Sequence, residues 1–415
     1  MWYETPVTSM LNITFPIVQA GMAGGVTTPQ LVASVSNAGG LGSLGAGYMT
    51  PEQMKKAISD IKRLTPKPFE VNLFIPEDDP SSEESIANVQ VKLQHYEDQL
   101  GISDQERKRK SFVETQKEHQ DKLQIIIDEA IPVCSFTFGV PSIEDVQRLK
   151  KEKVILVGTA TTVKEAIINE KNGMDLVVMQ GMEAGGHRGT FTGDFQASLI
   201  GSASLIPQTV DAIQIPVIAA GGIMDGRGIL SMLALGADAV QMGTAFVTCQ
   251  ESGANPLHQH AILTSTEDQT VVTPVFSGKP ARGINNDFVA EMAGQNDLPG
   301  YPTLNTLTKE VRKQAAIQNR PEWMSLWSGQ SPRLSTSKSV EQIIDCSVKQ
   351  VTDILEVNDI NAIKRIRPLS QCEKGLFNDL HWYGRSSDSI FYYEKIMTGC
   401  IMKFSHKSVR QYLFV

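Results

Sequence analysis

The stretch "PVIAAGGIMDGRGILSMLALGADAVQMGTAF", Pro216 to Phe246, holds one full repeat of this chain's architecture. A short β-branched run ends in two glycines. A stretch with 3.6-residue apolar spacing follows, DGRGILSMLALGA, and then a second apolar run, AVQMGTAF. Apolar runs that are continuous rather than alternating are those of parallel strands buried on both faces. The stretch therefore reads as strand, helix and strand.

Working outward, the same kind of run recurs upstream: PIVQAGM from Pro16, GLGSLGAG from Gly40, PFEVNLF from Pro68, PVCSFTFG from Pro132, VILVGTA from Val154 and LVVMQG from Leu176. Helical segments lie between most of them. TPQLVASVSNAGG and TPEQMKKAISDIKRL each open with a threonine N-cap, Thr28 and Thr50, followed by a proline suited to the first turn. SIEDVQRLKKE and TVKEAIINEKNG share the helical period. Eight strand–helix units are best closed as a (β/α)8 TIM barrel, with an open doubly wound sheet as the alternative.

The third crossover is long and charged, and reads as a helical insertion over about residues 77–130; its ERKRK run reads as a solvated helix face. After Phe246 the barrel pattern gives way to a helix-rich segment. The organisation expected is a barrel over 1–255 with its insertion, a C-terminal addition over 256–355 packed on it, and an atypical tail over 356–415 that is locally basic and aromatic.

Composition narrows the function. A hydrophobic content of 41% with 20% charged residues is that of a globular protein. A net charge of −8 argues against a nucleic-acid partner, because phosphate backbones call for basic faces. No uncharged apolar run approaches the roughly 18–20 residues that span a bilayer, and MWYETPVTSM is no signal peptide. Five scattered cysteines without CxxC spacing exclude a familiar zinc site and suit a reducing, cytoplasmic compartment. No metal is expected.

In a (β/α)8 barrel the site lies at the carboxyl ends of the strands. That rule selects Asn72 near the end of the third strand, Gln180 ending the sixth, Gly221 and Gly222 ending the seventh, and Gln241, Met242, Gly243 and Thr244 at the eighth. The loops after strands seven and eight are the usual phosphate grip of the fold, and the helix opened by DGRG adds a dipole that favours an anion. Backbone amides for a phosphate, with carboxamides nearby for a ring edge of alternating N–H and C=O, suit flavin mononucleotide (FMN).

His187 stands in AGGHRG, on the loop after strand six. The glycines let the main chain fold tightly around an imidazole able to act as base or donor near neutral pH. Its neighbour Arg188 could pair with an anion, but reads rather as solvent-facing. The other histidines, His95, His119, His258, His260, His381 and His406, have no such setting.

These residues resemble the nitronate monooxygenases, formerly called nitropropane dioxygenases. The resemblance is carried by PIVQAGMAGG, VNLFIP, QGMEAGGHRGTF, AAGGIMDGRG, GADAVQMGTAF and SGKPARG, from about Pro16 to about Ile354. It implies an FMN-bound barrel in which Met22, Asn72, Gln180, Gly185, Gly222, Gln241, Met242, Gly243 and Thr244 contact the flavin. It makes His187 the catalytic histidine. The implied reaction is oxidation of an alkyl nitronate by dioxygen to a carbonyl compound and nitrite, by a monomer or homodimer. His187 would hold the anion when protonated or donating, or take the α-proton of a neutral nitroalkane. The nearest rival is an FMN-dependent enoyl-acyl-carrier-protein reductase using NAD(P)H, whose loop carries a similar EAGGH. Inosine monophosphate dehydrogenase, the other rival, needs a loop cysteine that neither Cys134 nor Cys249 supplies.

Overall fold

The computed structural model describes residues 1–79, 81–103, 109–294 and 297–356. Its strands are β1 (Ile17–Gln19), β2 (Gly42–Gly45), β3 (Phe69–Phe74), β4 (Val133–Thr137), β5 (Ile155–Ala160), β6 (Leu176–Gln180), β7 (Gly186–His187), β8 (Val217–Ala220), β9 (Ala239–Met242), β10 (Thr270–Thr273) and β11 (Ala281–Ile284). Eight of them form one parallel sheet in the order β1-β9-β8-β6-β5-β4-β3-β2. A parallel bridge between Val18 and Leu41 joins its two ends and closes the barrel. These are the eight runs read from the sequence.

The helices start where their caps predict. Thr28, Thr50, Ser142, Thr162 and Asp225 each accept a first-turn backbone N–H, with Pro29 and Pro51 at the first helical position. This satisfies donors that have no partner inside the helix. One crossover helix, Ser202–Val210 between β6 and β8, carries Pro207 in its interior, a residue that argues against a helix when only the sequence is read. Burial of Leu205 and Ile206 against the barrel holds it in place.

The barrel interior is apolar at the amino ends of its strands. There Val18, Leu41, Val133, Val157 and Leu176 pack with Val7 and Leu11 of the helix Pro6–Leu11. The insertion after β3 forms two helices, Glu83–Leu100 and Phe112–Asp128. Ile86, Val89, Leu93 and Tyr96 of the first join Phe288, Leu304, Leu307, Val311 and Trp323 in one apolar cluster. Of the ERKRK run, Arg109 and Lys110 do not extend a helix; they precede the N-cap Ser111 and pair with Glu83 and Glu118. Its other three residues lie outside the described residues.

Beyond β9 the chain is less purely helical than expected. β10 and β11 form an antiparallel hairpin, and β11 pairs also with β7, setting Ala281 opposite His187. Short strands within a glycine-rich loop carry too few residues to show a period. The helix Val340–Glu356 packs on the helices Gly226–Ala234 and Pro29–Asn37. The atypical tail lies outside the described residues from 357 on. No described helix is long and apolar enough to cross a membrane.

Candidate active site

A cavity opens at the carboxyl ends of the barrel strands. It is lined by Met22, Asn72, Gln180, Gly185, His187, Gly222, Gln241, Gly243 and Thr244 together. Of the residues singled out from sequence, Met242 alone is missing from this wall: its side chain is 1% exposed and packs in the core beneath.

Each polar group has a definite state. Asn72 gives both amide protons away, to Ser135 Oγ at 2.9 Å and Thr137 Oγ1 at 3.1 Å. Its Oδ1 is buried with no partner. Gln180 is committed to its own loop: Nε2 donates to His187 O at 3.0 Å, and Oε1 accepts from Gly189 N at 2.8 Å. One amide proton and one lone pair remain for a ligand.

The glycines answer two demands. Gly222 adopts φ +69°, a left-handed conformation that disfavours a side chain. A Cβ on Gly185 would come within 2.5 Å of Gly329 N, so that glycine permits the loop from 328 to 330 to close on the site. The amides of Gly222 and Ile223 meet no acceptor among the described residues. The following helix, by contrast, does not offer the free terminus expected. Asp225 caps it by accepting from Arg227 N, and Gly226 N donates to Gln350 Oε1 at 2.9 Å. The free backbone amides here are those of the Gly221–Ile223 turn, not those of Gly226 and Arg227 at the helix end.

His187 sits inside a cage of rings. Trp327, Phe138 and Tyr301 lie with centroids 5.4, 5.9 and 6.3 Å away. Its Nε2 is 2.8 Å from Ser277 Oγ. Ser277 donates to Lys279 O at 3.1 Å. A hydroxyl has one proton, so with it so placed Ser277 accepts from Nε2–H and leaves Nδ1 with its lone pair. Burial, with the cations Arg312 and Lys279 nearby, lowers the imidazole pKa to about 3. So placed, the ring favours its neutral form.

Arg188 does not face solvent. It is 1% exposed, and its guanidinium donates to Gly181 O at 2.6 Å, Gln180 O at 3.1 Å and Ser198 O at 3.0 Å. It ties the histidine loop to the end of β6.

Sequence reasoning missed the opposite wall: Tyr48, Phe74, Phe138, Trp327 and His258, whose Nε2 lies 2.8 Å from Trp327 O. Lys279 Nζ reaches Glu77 at 2.6 Å and lies 4.5 Å from the Phe138 ring centroid. Ser277 and Lys279 stand in the quoted SGKPARG, the signal that could have found them. The aromatics come singly from distant segments, with no local pattern.

Fold and cavity together are those of a (β/α)8 enzyme with its chemistry at the carboxyl ends of the strands. The family profile described as nitronate monooxygenase matches residues 4–350, and the chain belongs to that family of oxidoreductases, whose members use a flavin. A probable nitronate monooxygenase of Staphylococcus haemolyticus is 51% identical over 362 residues, covering 86% of this chain and 99% of that one. A namesake from Staphylococcus aureus is 48% identical over 360 residues, covering 86% and 99%. Among solved structures, a nitroalkane oxidase from Streptomyces ansochromogenes superposes with a TM-score of 0.77 at 36% identity, covering 84% of this chain and 98% of that one. FabK from Thermotoga maritima follows at 0.67 and 32%, covering 85% and 97%.

Proposed function

We propose that this protein is an FMN-dependent nitronate monooxygenase, converting alkyl nitronates and dioxygen to a carbonyl compound and nitrite, with His187 as the catalytic residue. The observation that carries the reading is the His187 ring, held by Ser277 and facing the same cavity as the glycine turn and Asn72.

The cavity fits the cofactor on two counts. Asn72 Oδ1 is an orphaned acceptor suited to a ring N–H. The Gly221–Ile223 turn offers backbone amides where a phosphate would need them, with no side chain on either glycine to block approach. Asn72, Gln180 and Met22 would hold the ring, and Gly222, Gly243 and Thr244 the phosphate end. The flavin supplies the transfer of electrons from substrate towards dioxygen.

The rest belongs to this chain. His187, kept neutral, takes the α-proton of a nitroalkane at Nδ1, and Ser277 receives the Nε2–H bond that fixes the tautomer. A nitronate arrives already deprotonated and needs the ring only for placement. Phe138, Tyr301 and Trp327 exclude water around it.

The test is spectroscopic. The purified protein should be yellow, and heat should release FMN. Under anaerobic conditions ethyl nitronate should bleach the flavin band and NADPH should not. Bleaching by NADPH alone would overturn the reading in favour of the reductase.

A further inference from the structure

Beneath Asn72 lies a buried carboxyl group that the reaction does not use. Glu70 stands two residues before Asn72 on β3, so both point into the barrel. The sheet register sets Glu70 opposite Ser43 on β2, and Asn72 opposite Ser135 on β4. Glu70 is 2% exposed and reaches the cavity floor. Its Oε1 accepts from Ser43 Oγ at 2.7 Å and also from Ser135 Oγ.

This arrangement has a direction. A hydroxyl has a single proton, and Ser135 gives its proton to Glu70. Towards Asn72, Ser135 can therefore only accept. The amide end of Asn72 must face Ser135 and Thr137, which leaves the carbonyl end as the free one. Burial raises the Glu70 pKa, yet the oxygen that carries no proton still accepts from both serines.

We propose that Glu70 is a positioning residue that acts through Ser135 to fix the Asn72 carboxamide as a pure acceptor, so that the site selects a cofactor ring edge bearing an N–H. The inference rests on the FMN reading above. The oxidised flavin ring has one N–H, its imide nitrogen, and that is the group Asn72 would meet. Without the acceptor at position 70, Ser135 regains a free proton, the amide can turn over, and the site loses its preference.

The test uses the full-length chain freed of flavin. Dissociation constants are measured for FMN and for FMN methylated at the imide nitrogen. The wild type should bind the methylated form about 10- to 100-fold more weakly, the worth of a lost hydrogen bond at a buried acceptor. In Glu70→Leu and Ser135→Ala the two constants should converge to within about threefold. Glu70→Gln, whose carbonyl can still accept from both serines, should keep the preference. Ser135→Ala is a small change and decides the matter if Glu70→Leu fails to fold. Wild type that binds FMN without discrimination, or Ser135→Ala that discriminates as wild type does, overturns the positioning role alone. Wild type that binds no FMN overturns the flavin reading and the role with it.

Discussion

Replacing Arg188 by methionine tests whether the histidine loop is held from beneath. The two side chains are similar in length, so packing is largely kept while three donors vanish. The carbonyls of Gln180, Gly181 and Ser198 would each lose a charged donor, Gly181 O and Ser198 O keeping only the backbone amides of Ala184 and Ile200. Each lost hydrogen bond from a charged donor costs about 1.5–3 kcal/mol. Removal of the guanidinium recovers part of its own desolvation, and the net loss should be near the 3–5 kcal/mol, roughly, that breaking a buried charged network brings. At about 2–3 °C per kcal/mol for a domain of this size, Tm should fall roughly 6–15 °C. Because Gln180 and His187 share the loop, kcat should drop more than KM rises. Arg188→Lys, which can reach only part of the fork, should fall between. The assays are scanning calorimetry and steady-state turnover with ethyl nitronate. An Arg188→Met variant melting within about 2 °C of wild type with normal kcat would refute the anchoring role.

His187→Asn should keep FMN and Tm but lose about 10²–10⁴-fold in turnover of neutral nitroalkanes, and less on pre-formed nitronates, which need no proton removal. In the wild-type enzyme the ring pKa is lowered to about 3, so nitroalkane turnover should show no inflection as pH falls through the ordinary histidine value. An inflection near pH 6.5, roughly, would mean that the ring is solvated. Stability moves the other way: the unfolded chain takes up a proton at His187 and His119 where the folded chain does not, so Tm should decline progressively as pH drops below about 6.5. Gly222→Ala should weaken FMN binding at least tenfold, roughly, while Gly193→Ala, at a similar φ of +75° with open space around it, should carry only the backbone cost. Equal FMN affinities would take Gly222 out of the phosphate site.

The barrel was legible because its strands are buried on both faces. Such runs are mostly apolar, broken by few polar residues such as Glu70 and Asn72, and Pro216 or Gly221 marks their ends. Half of the cavity was legible for a similar reason, since strand ends are fixed once strands are found. The other half arrives from outside the barrel. Trp327 and Phe138 carry no local pattern, and only the fold brings them around His187. Arg188 resists a sequence reading because its partners are backbone carbonyls, which every residue possesses and no side chain betrays. The helix end at Gly226 resists one for a related reason: the group that occupies it, Gln350, is 124 residues away.

The closing of the loop around 328–330 on the barrel sets an order for biosynthesis. Gly329 N donates to Thr244 Oγ1 at 2.9 Å, and Ser277 meets His187 across 90 positions. A nascent chain that has reached Phe246 possesses all eight strands, yet has neither the partner that fixes its histidine nor the wall that shuts out water. The ribosome must pass Gln330 before this cavity has its full wall, although the residues placed against the cofactor, Met22 to Thr244, have all been made by then. A premature stop between those two points leaves a barrel's worth of sequence and an unfinished cavity.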